Sequence, residues 1–178
     1  MGAELHFDAS ELELLGRAIA RLPGEVKAKA FARAMSRMRT MARTRVVKRS
    51  SERTKVPVRM VQALTKAHLN AGGNTIEVVE KSGWIGLYKL GARQTSTGVT
   101  VKSRGSYKSA FIAKMASGHT AVMMRDGKSR LPIHELFGAN PAHDVTNNPD
   151  EFLEVLAELI KDHLAPRVLH EIERLIAR

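Results

Sequence analysis

The spacing of hydrophobic positions changes twice along the chain and predicts three consecutive parts. Over residues 8–69, hydrophobic residues recur every three or four positions, which is typical of amphipathic helices. Over residues 75–135 they fall in short runs bounded by Gly, Ser and Asp, which is typical of strands. The helical spacing returns over residues 149–178. This order of helices, strands and a final helix predicts an α+β fold in a single domain of residues 1–178.

Proline, glycine and serine positions divide the first part into three predicted helices. The first covers residues 8–22 and ends at Pro23-Gly24, and the second and longest runs from about Gly24 to Ser50. Ser50-Ser51 is expected to end it, and a short third helix is expected over Val58–Leu69. The long helix carries an apolar stripe of Phe31, Ala34, Met35, Met38, Met41, Ala42 and Val46.

The middle part predicts a small, mostly antiparallel sheet that includes a β-hairpin. Strands are expected at Ile76–Glu80 and Trp84–Leu90, and the hairpin pairs residues 111–115 with residues 119–125. The basic, Gly/Ser/Thr-rich segment of about 91–109 is expected to be a mobile loop that becomes ordered only in an assembly. Within it, Gly98–Lys102 fits either a strand or part of that loop.

The last part predicts a C-terminal helix that begins at about Pro149. Phe152, Leu159 and Leu164 lie on its apolar side. Pro166 is expected to kink or interrupt the helix, because proline removes a backbone hydrogen bond and its ring clashes with the preceding turn.

Charge is distributed very unevenly over the 178 residues. The chain has 29 Lys and Arg against 18 Asp and Glu, a formal net charge of +11 and an isoelectric point near 10.3. Residues 17–66 carry fifteen bases and two acids, whereas residues 1–16 have a charge of −4 and residues 149–178 a charge of −3. A basic block between acidic ends indicates an anionic partner, either nucleic acid or an acidic protein surface.

Composition excludes several classes of protein. The absence of cysteine excludes disulfide scaffolds, thiolate zinc sites, iron–sulfur clusters and cysteine nucleophiles. No apolar run approaches the roughly 18 residues that a membrane span needs, and the N-terminus has no signal-peptide core. We therefore expect a soluble intracellular protein that contacts no membrane.

The sequence gives no support for an enzyme. His134-Glu135 lacks the second histidine of a zincin, and no Gly-x-Ser-x-Gly or phosphate-binding glycine motif is present. Asp126, Glu135 and Asp144 could form an acid/base pair, but turn formation accounts for two of the three. We predict no catalytic, cofactor or metal site; a hydrolase using His134 and Glu135 is a remote alternative.

The basic block is the one feature that indicates a function from its residues alone. Lysine and arginine side chains can contact phosphates, and the release of counterions makes such binding salt-dependent. Phe31 is the only aromatic residue in the block and belongs to the apolar stripe, so stacking platforms for single-stranded bases are missing. This leaves non-specific phosphate contact or contact with an acidic protein.

The segment from about Lys108 to Gly138 resembles a known family. It contains Ser-Ala-Phe-Ile-Ala from Ser109, Gly-His-Thr-Ala-Val-Met-Met-Arg from Gly118, and Gly-Lys-Ser-Arg-Leu-Pro-Ile from Gly127. These runs are similar to the minor tail protein Z family of tailed phages, which are tail-completion or neck proteins. The resemblance is specific in this segment and loose over the rest of the chain.

The resemblance implies a structural virion protein that forms a ring, expected to be hexameric, at the head-proximal end of the tail. Its implied partners are the tail terminator or tail tube, the head-completion or connector proteins, and genome DNA in the channel through non-specific contact. The implied location is the virion, with assembly in the host cytoplasm. Phe111, Ile112, Val122, Leu131 and Ile133 are expected in the core.

Twelve cationic residues are candidate contacts for a partner or for DNA. They are Arg33, Arg37, Arg39, Arg43, Arg45, Arg93, Lys102, Arg104, Lys108, Arg125, Lys128 and Arg130. In a ring, one patch of each subunit meets a different patch of the next, so the basic block is expected to pair with the acidic ends of a neighbour. The alternative function is a small, basic DNA- or RNA-binding protein that acts on its own.

Overall fold

The computed structural model describes residues 20–71, 73 and 75–177. Within them the fold is α+β, with four α-helices, one short 3₁₀ helix and eight strands. The helices are α1 (Gly24–Thr54), α2 (Val58–Leu64), α3 (Pro141–Asn147) and α4 (Pro149–Ile176). The predicted helix over residues 8–22 lies outside the described residues except for its last three, of which Ala20 and Arg21 are helical.

The strands form three small antiparallel sheets. They are β1 (Thr65–Leu69), β2 (Ile76–Glu80), β3 (Ala92–Thr95), β4 (Gly98–Val101), β5 (Gly105–Lys108), β6 (Phe111–Lys114), β7 (Thr120–Arg125) and β8 (Ile133–Glu135). The orders are β1-β2, β3-β4-β5 and β6-β7-β8. The predicted hairpin is confirmed, since β6 pairs with β7 from Phe111 opposite Met123 to Lys114 opposite Thr120.

Helix α1 continues past Ser50-Ser51, where the sequence predicts its end. Ser50 is fully buried and its hydroxyl donates to Glu80 of β2, while Ser51 donates to the carbonyl of Val56. Both hydroxyls therefore have partners in the packed structure and do not compete with the helix. The helix ends at Thr54, and Lys55 follows in the left-handed conformation.

The predicted helix over Val58–Leu69 is wrong in its second half, because residues 65–69 form strand β1. Burial alternates along this strand, with Thr65 buried and Lys66 and His68 exposed. Alternating burial is typical of a strand in a sheet with one buried face. Strand β1 pairs along its whole length with β2, from Thr65 opposite Glu80 to Leu69 opposite Ile76.

The segment 91–109 is not a loop, since it forms the sheet of β3, β4 and β5. Val99 and Val101 are buried in the core, so this segment has apolar packing contacts although most of its residues are polar. Gly98 lies so close to β5 that a Cβ at this position would clash with the Tyr107 carbonyl oxygen. The strand expected over Trp84–Leu90 is also wrong: Gly86 bridges to Phe137, and Leu87–Leu90 is the 3₁₀ helix.

Helix α4 begins at Pro149, as the sequence predicts, and is not interrupted at Pro166. Leu159 before the proline and Ile172 after it are both buried. Packing on both sides of Pro166 keeps the element helical through the proline despite the lost hydrogen bond. No helix in the described part of the chain is long and apolar enough to cross a bilayer.

Two apolar clusters share α1. The first joins Met38 and Ala42 of α1 to Leu159 of α4, with Ile76 and Val78 of β2 beside them. The second joins the end of α1 to α2, the 3₁₀ helix and the two three-stranded sheets. Its buried members are Val47, Val56, Val61, Ile85, Leu87, Leu90, Val99, Val101, Ala110 and Val122.

The expected core residues of the hairpin region have mixed outcomes. Val122 is fully buried, and Phe111, Ile112 and Ile133 are half-buried. Leu131 is 66% exposed and is not a core residue. It lies in the turn between β7 and β8, where the chain reverses before the next strand can direct a side chain inward.

The α1–α4 cluster gives the first testable prediction. Leu159→Ala should lower the free energy of unfolding by about 2–5 kcal/mol, because it removes a fully buried side chain from the seam and leaves a cavity. Leu153→Ala, the matched change at a residue that is 61% exposed on the same helix, should cost less than about 1 kcal/mol. Urea unfolding followed by circular dichroism measures the free energy of unfolding of both variants. Equal decreases in the two variants would contradict the packing of Leu159 between α1 and α4.

Candidate functional site

Helix α4 and the preceding helix α3 neutralise one side of the basic helix α1 within the same chain. Arg53 donates two hydrogen bonds to Asp144, Nε to Oδ2 at 2.9 Å and Nη2 to Oδ1 at 3.2 Å. It also lies 3.4 Å from Glu151, which pairs with Arg49 as well. These contacts supply the counter-charges that a helix with so few acids of its own requires.

The same side of α1 continues toward the N-terminus with two more contacts to α4. Arg33 Nη1 lies 3.7 Å from Glu171 Oε2, and Arg45 Nη2 lies 3.0 Å from His163 Nε2. Glu151 and Glu171 belong to the acidic C-terminal part that the sequence analysis expects to pair with the basic block of a neighbouring subunit. Their partners are in the same chain, because α4 folds back along α1.

Arg43 faces another element and binds backbone instead of acids. Its Nε donates to the Thr65 carbonyl at 2.8 Å and its Nη2 donates to the Gln62 carbonyl at 2.7 Å. These carbonyls lie at the junction of α2 and β1, where helical hydrogen bonding ends. Arg37 and Arg39 have no ion pair with any residue in the described ranges.

Two candidates in the sheet region have structural partners. The half-buried Arg104 donates to the carbonyl of Thr54 at the end of α1. The guanidinium of Arg125 lies 4.9 Å from the centre of the Phe111 ring and donates to the Arg130 carbonyl. Both arginines hold chain segments together, so neither is a free contact in the isolated chain.

Five candidates remain exposed at the sheet end of the molecule. They have no side-chain partner among residues 20–71, 73 and 75–177, and they lie on β3, on β5 and in the turns after β4 and β7. The five are Arg93, Lys102, Lys108, Lys128 and Arg130. The structure therefore divides the twelve candidates into cations used within the chain and cations left for a partner.

An acidic stripe on α4 was missed by the sequence reading. Asp150, Glu154, Glu158 and Asp162 are exposed, follow one another at steps of four residues, and have no ion pair with the described part of the chain. Residues four apart lie on one helix face, so the stripe could have been found from its spacing.

The histidines and carboxylates considered for catalysis do not converge. His134 and Glu135 are consecutive residues of β8, so their side chains point to opposite faces of the sheet. His134 pairs with Asp126, whereas Glu135 Oε2 lies 3.0 Å from His119 Nε2. Asp144 is bound to Arg53. Within the described residues, no group of three His, Asp or Glu side chains is placed to hold a metal ion.

No protein-family model, no curated protein and no solved structure matches this chain at a significant level.

Electrostatics are most perturbed where β2 meets α1 and α3. Burial raises the pKa of Glu80, and nearby Asp144 adds to this, while the hydrogen bond from Ser50 at 3.0 Å opposes it. The second carboxylate oxygen of Glu80 is buried and has no hydrogen-bond partner among the described residues. Hydrogen bonding to Asp144 raises the pKa of Arg53 above its usual value.

The raised pKa of Glu80 predicts a pH-dependent stability. The folded chain binds a proton at Glu80 more readily than the unfolded chain does. The free energy of unfolding therefore falls as the pH rises from 4.5, the ordinary carboxyl pKa, through the raised pKa of Glu80. Glu80→Gln should therefore unfold at a higher temperature than the wild type at neutral pH, and the difference should vanish in acid.

The control for this prediction is Glu77→Gln, which removes an exposed carboxylate from the opposite face of the same strand. Thermal unfolding of the three proteins at neutral and acid pH provides the measurement. A gain for Glu80→Gln that is equal at both pH values, or equal to that of the control, would refute the assignment.

Proposed function

We propose that this protein is a structural virion component of a tailed phage, a tail-completion or neck protein that forms a ring at the head-proximal end of the tail. The observation that carries the proposal is the run of residues from Lys108 to Gly138, which resembles the minor tail protein Z family. The partners in this role are the tail terminator or tail tube and the head-completion or connector proteins.

The resembling residues coincide with one structural unit, which supports the proposal. They comprise β6, β7 and β8 and the segment that returns the chain to the core. Gly138 ends this unit, and its N–H donates to the Ile85 carbonyl at 2.7 Å. A Cβ at Gly138 would also lie 2.5 Å from Leu90 Cδ1, so close packing favours glycine at this position.

The charges left over after folding suggest how such a ring closes. The acidic stripe of α4 and the five free cations of the sheet end lie on different elements, and neither has partners within the described chain. Two different complementary patches produce a head-to-tail contact, which closes into a ring when the rotation per subunit permits. In this proposal the acidic stripe of one subunit meets the sheet-end cations of the next, and a hexamer is the expected ring.

Charge reversal of the stripe should abolish the ring. The triple variant Glu154→Lys, Glu158→Lys, Asp162→Lys replaces attraction by repulsion at the interface, so native mass spectrometry should show monomer where the wild type shows a ring. Reversal of Lys102, Lys108, Lys128 and Arg130 to Glu in a second protein should restore mixed oligomers when the two are combined.

A matched control separates the interface from overall charge. Glu25→Lys, Glu77→Lys, Glu173→Lys makes the same change in net charge at exposed acids outside the stripe. This control should assemble like the wild type. Assembly by the stripe variant, or equal loss in the control, would rule out the proposed interface.

The role in the virion is tested by deleting the gene from the phage genome that carries it. Filled heads and separate tails should accumulate, because the junction between them is incomplete, and electron microscopy of the lysate distinguishes these from whole virions. Expression of the wild-type chain in trans should restore joined particles. Normal yields of joined particles without the protein would refute the proposed function.

A further inference from the structure

A cationic groove runs between α1 and β1. It has a volume of about 350 Å³ and is open to solvent. The groove is lined by Arg39, Thr40, Arg43, Lys66, Ala67 and His68. Three of these side chains are cations, a fourth is a histidine, and no acid is among them. Arg39 and Arg43 belong to the twelve candidate cations, whereas Lys66 and His68 do not.

The positive charge of the groove is not neutralised by folding, in contrast to the side of α1 that faces α4. Arg39 and Lys66 have no ion pair with the described residues. The acid that comes nearest along the paired strands is Glu77, which stands opposite His68 in the β1–β2 register and does not line the groove. The paired arginines Arg33, Arg49 and Arg53 contact Glu171, Glu151 and Asp144 instead.

Arg43 is held in place before any ligand arrives. Its two hydrogen bonds to the Thr65 and Gln62 carbonyls use Nε and Nη2. A guanidinium has five N–H groups, so the donors on Nη1 remain, and they have no partner in the described part of the chain. A cation fixed by backbone contacts loses little further side-chain freedom on binding, which favours recognition of an anion.

The alternation of β1 brings two more cationic groups to the same face. Lys66 and His68 are two residues apart in the strand, so their side chains point the same way, and both are exposed. Both residues line the groove, as do Arg39 and the fixed Arg43 of the adjacent helix. This arrangement offers charged donors from two elements toward one groove.

We propose that this groove binds the phosphodiester backbone of duplex DNA. Arginine and lysine donors match phosphate oxygens in charge and geometry. No Phe, Tyr or Trp lines the groove, so there is no aromatic platform for stacking unpaired bases, whereas the phosphates of a duplex are accessible from outside. The inference rests on the proposed function in one respect, that genome DNA passes through the ring; the groove itself belongs to the single chain.

The test compares two double variants of the full chain that remove the same charge. The groove variant is Arg39→Gln with Lys66→Gln, and the control is Lys29→Gln with Arg59→Gln, at exposed residues of α1 and α2 that do not line the groove. Arg43 is left intact because its contacts also join α1 to α2 and β1. Fluorescence anisotropy of a labelled random-sequence duplex, measured over a series of salt concentrations, gives affinity and salt dependence.

The groove variant should bind duplex at least about tenfold more weakly than the wild type at low salt. Its slope of log affinity against log salt should fall by about two, since about two phosphate contacts are lost. The control should retain wild-type affinity within about twofold. Chemical shifts of the Thr40 and His68 amides should move on addition of duplex.

Each of four other outcomes would overturn the proposal. An equal loss of duplex affinity in both variants would mean that the overall positive charge of the protein, and not the groove, binds DNA. Failure of the wild type to bind duplex would show that DNA is not the ligand. If the protein binds inorganic phosphate but not duplex, the groove is a site for small anions. If it binds polyglutamate as tightly as duplex, the groove is a surface for an acidic protein. The groove variant should still form rings in native mass spectrometry, so failure of this proposal is distinguishable from failure of the proposed assembly.

Discussion

The contact between α1 and α4 is the constraint on which the rest of the structure depends. Its free energy comes mainly from the apolar seam of Met38, Ala42 and Leu159, because fully burying one such large side chain is worth about 1.5–3 kcal/mol. The ion pairs beside it are partly exposed, and pairs of that kind contribute about 0–1 kcal/mol each. They matter more for register, since Arg53 donates two hydrogen bonds to Asp144 of α3 and pairs with Glu151 in the first turn of α4.

This contact also determines which charges remain available. A helix as basic as α1 presents cations on every side, and α4 can cover only one of them. The cations that face α4 become internal partners, whereas Arg39 faces β1 and stays unpaired. Likewise, α4 uses Glu151 and Glu171 toward α1 and leaves Glu154 and Glu158 outward. The functional surfaces proposed above are therefore what remains after the two helices have paired.

The elements with a long and regular hydrophobic period could be predicted from the sequence. The long basic helix, the hairpin of β6 and β7 and the start of α4 at Pro149 all follow from local spacing. The strands β3 and β5 could not, because each has four residues and their sheet is stabilised by Val99 and Val101 of β4, which pack in the core. Strand β1 was missed for the same reason, since only pairing with β2 separates it from a continuing helix. Strand β4 confirms one of the two structures that the sequence allowed for Gly98–Lys102.

The site was harder to predict than the fold because charge contacts join distant parts of the chain. Arg53 and Asp144 are 91 residues apart, and no local pattern indicates that one will neutralise the other. The sequence identified the basic block, and it could not divide that block into paired and unpaired cations. The acidic stripe at 150, 154, 158 and 162 is the exception, because its spacing was readable without the structure.

Both apolar clusters are built on one continuous helix of 31 residues, which spans about 46 Å at 1.5 Å per residue. Met38 and Ala42 belong to one cluster, and Val47 belongs to the other. Neither half of the molecule can turn against the other without bending this rod in the region between the two anchors. In the proposed ring, each subunit would act as a stiff rod, and flexibility would come from the contacts between subunits.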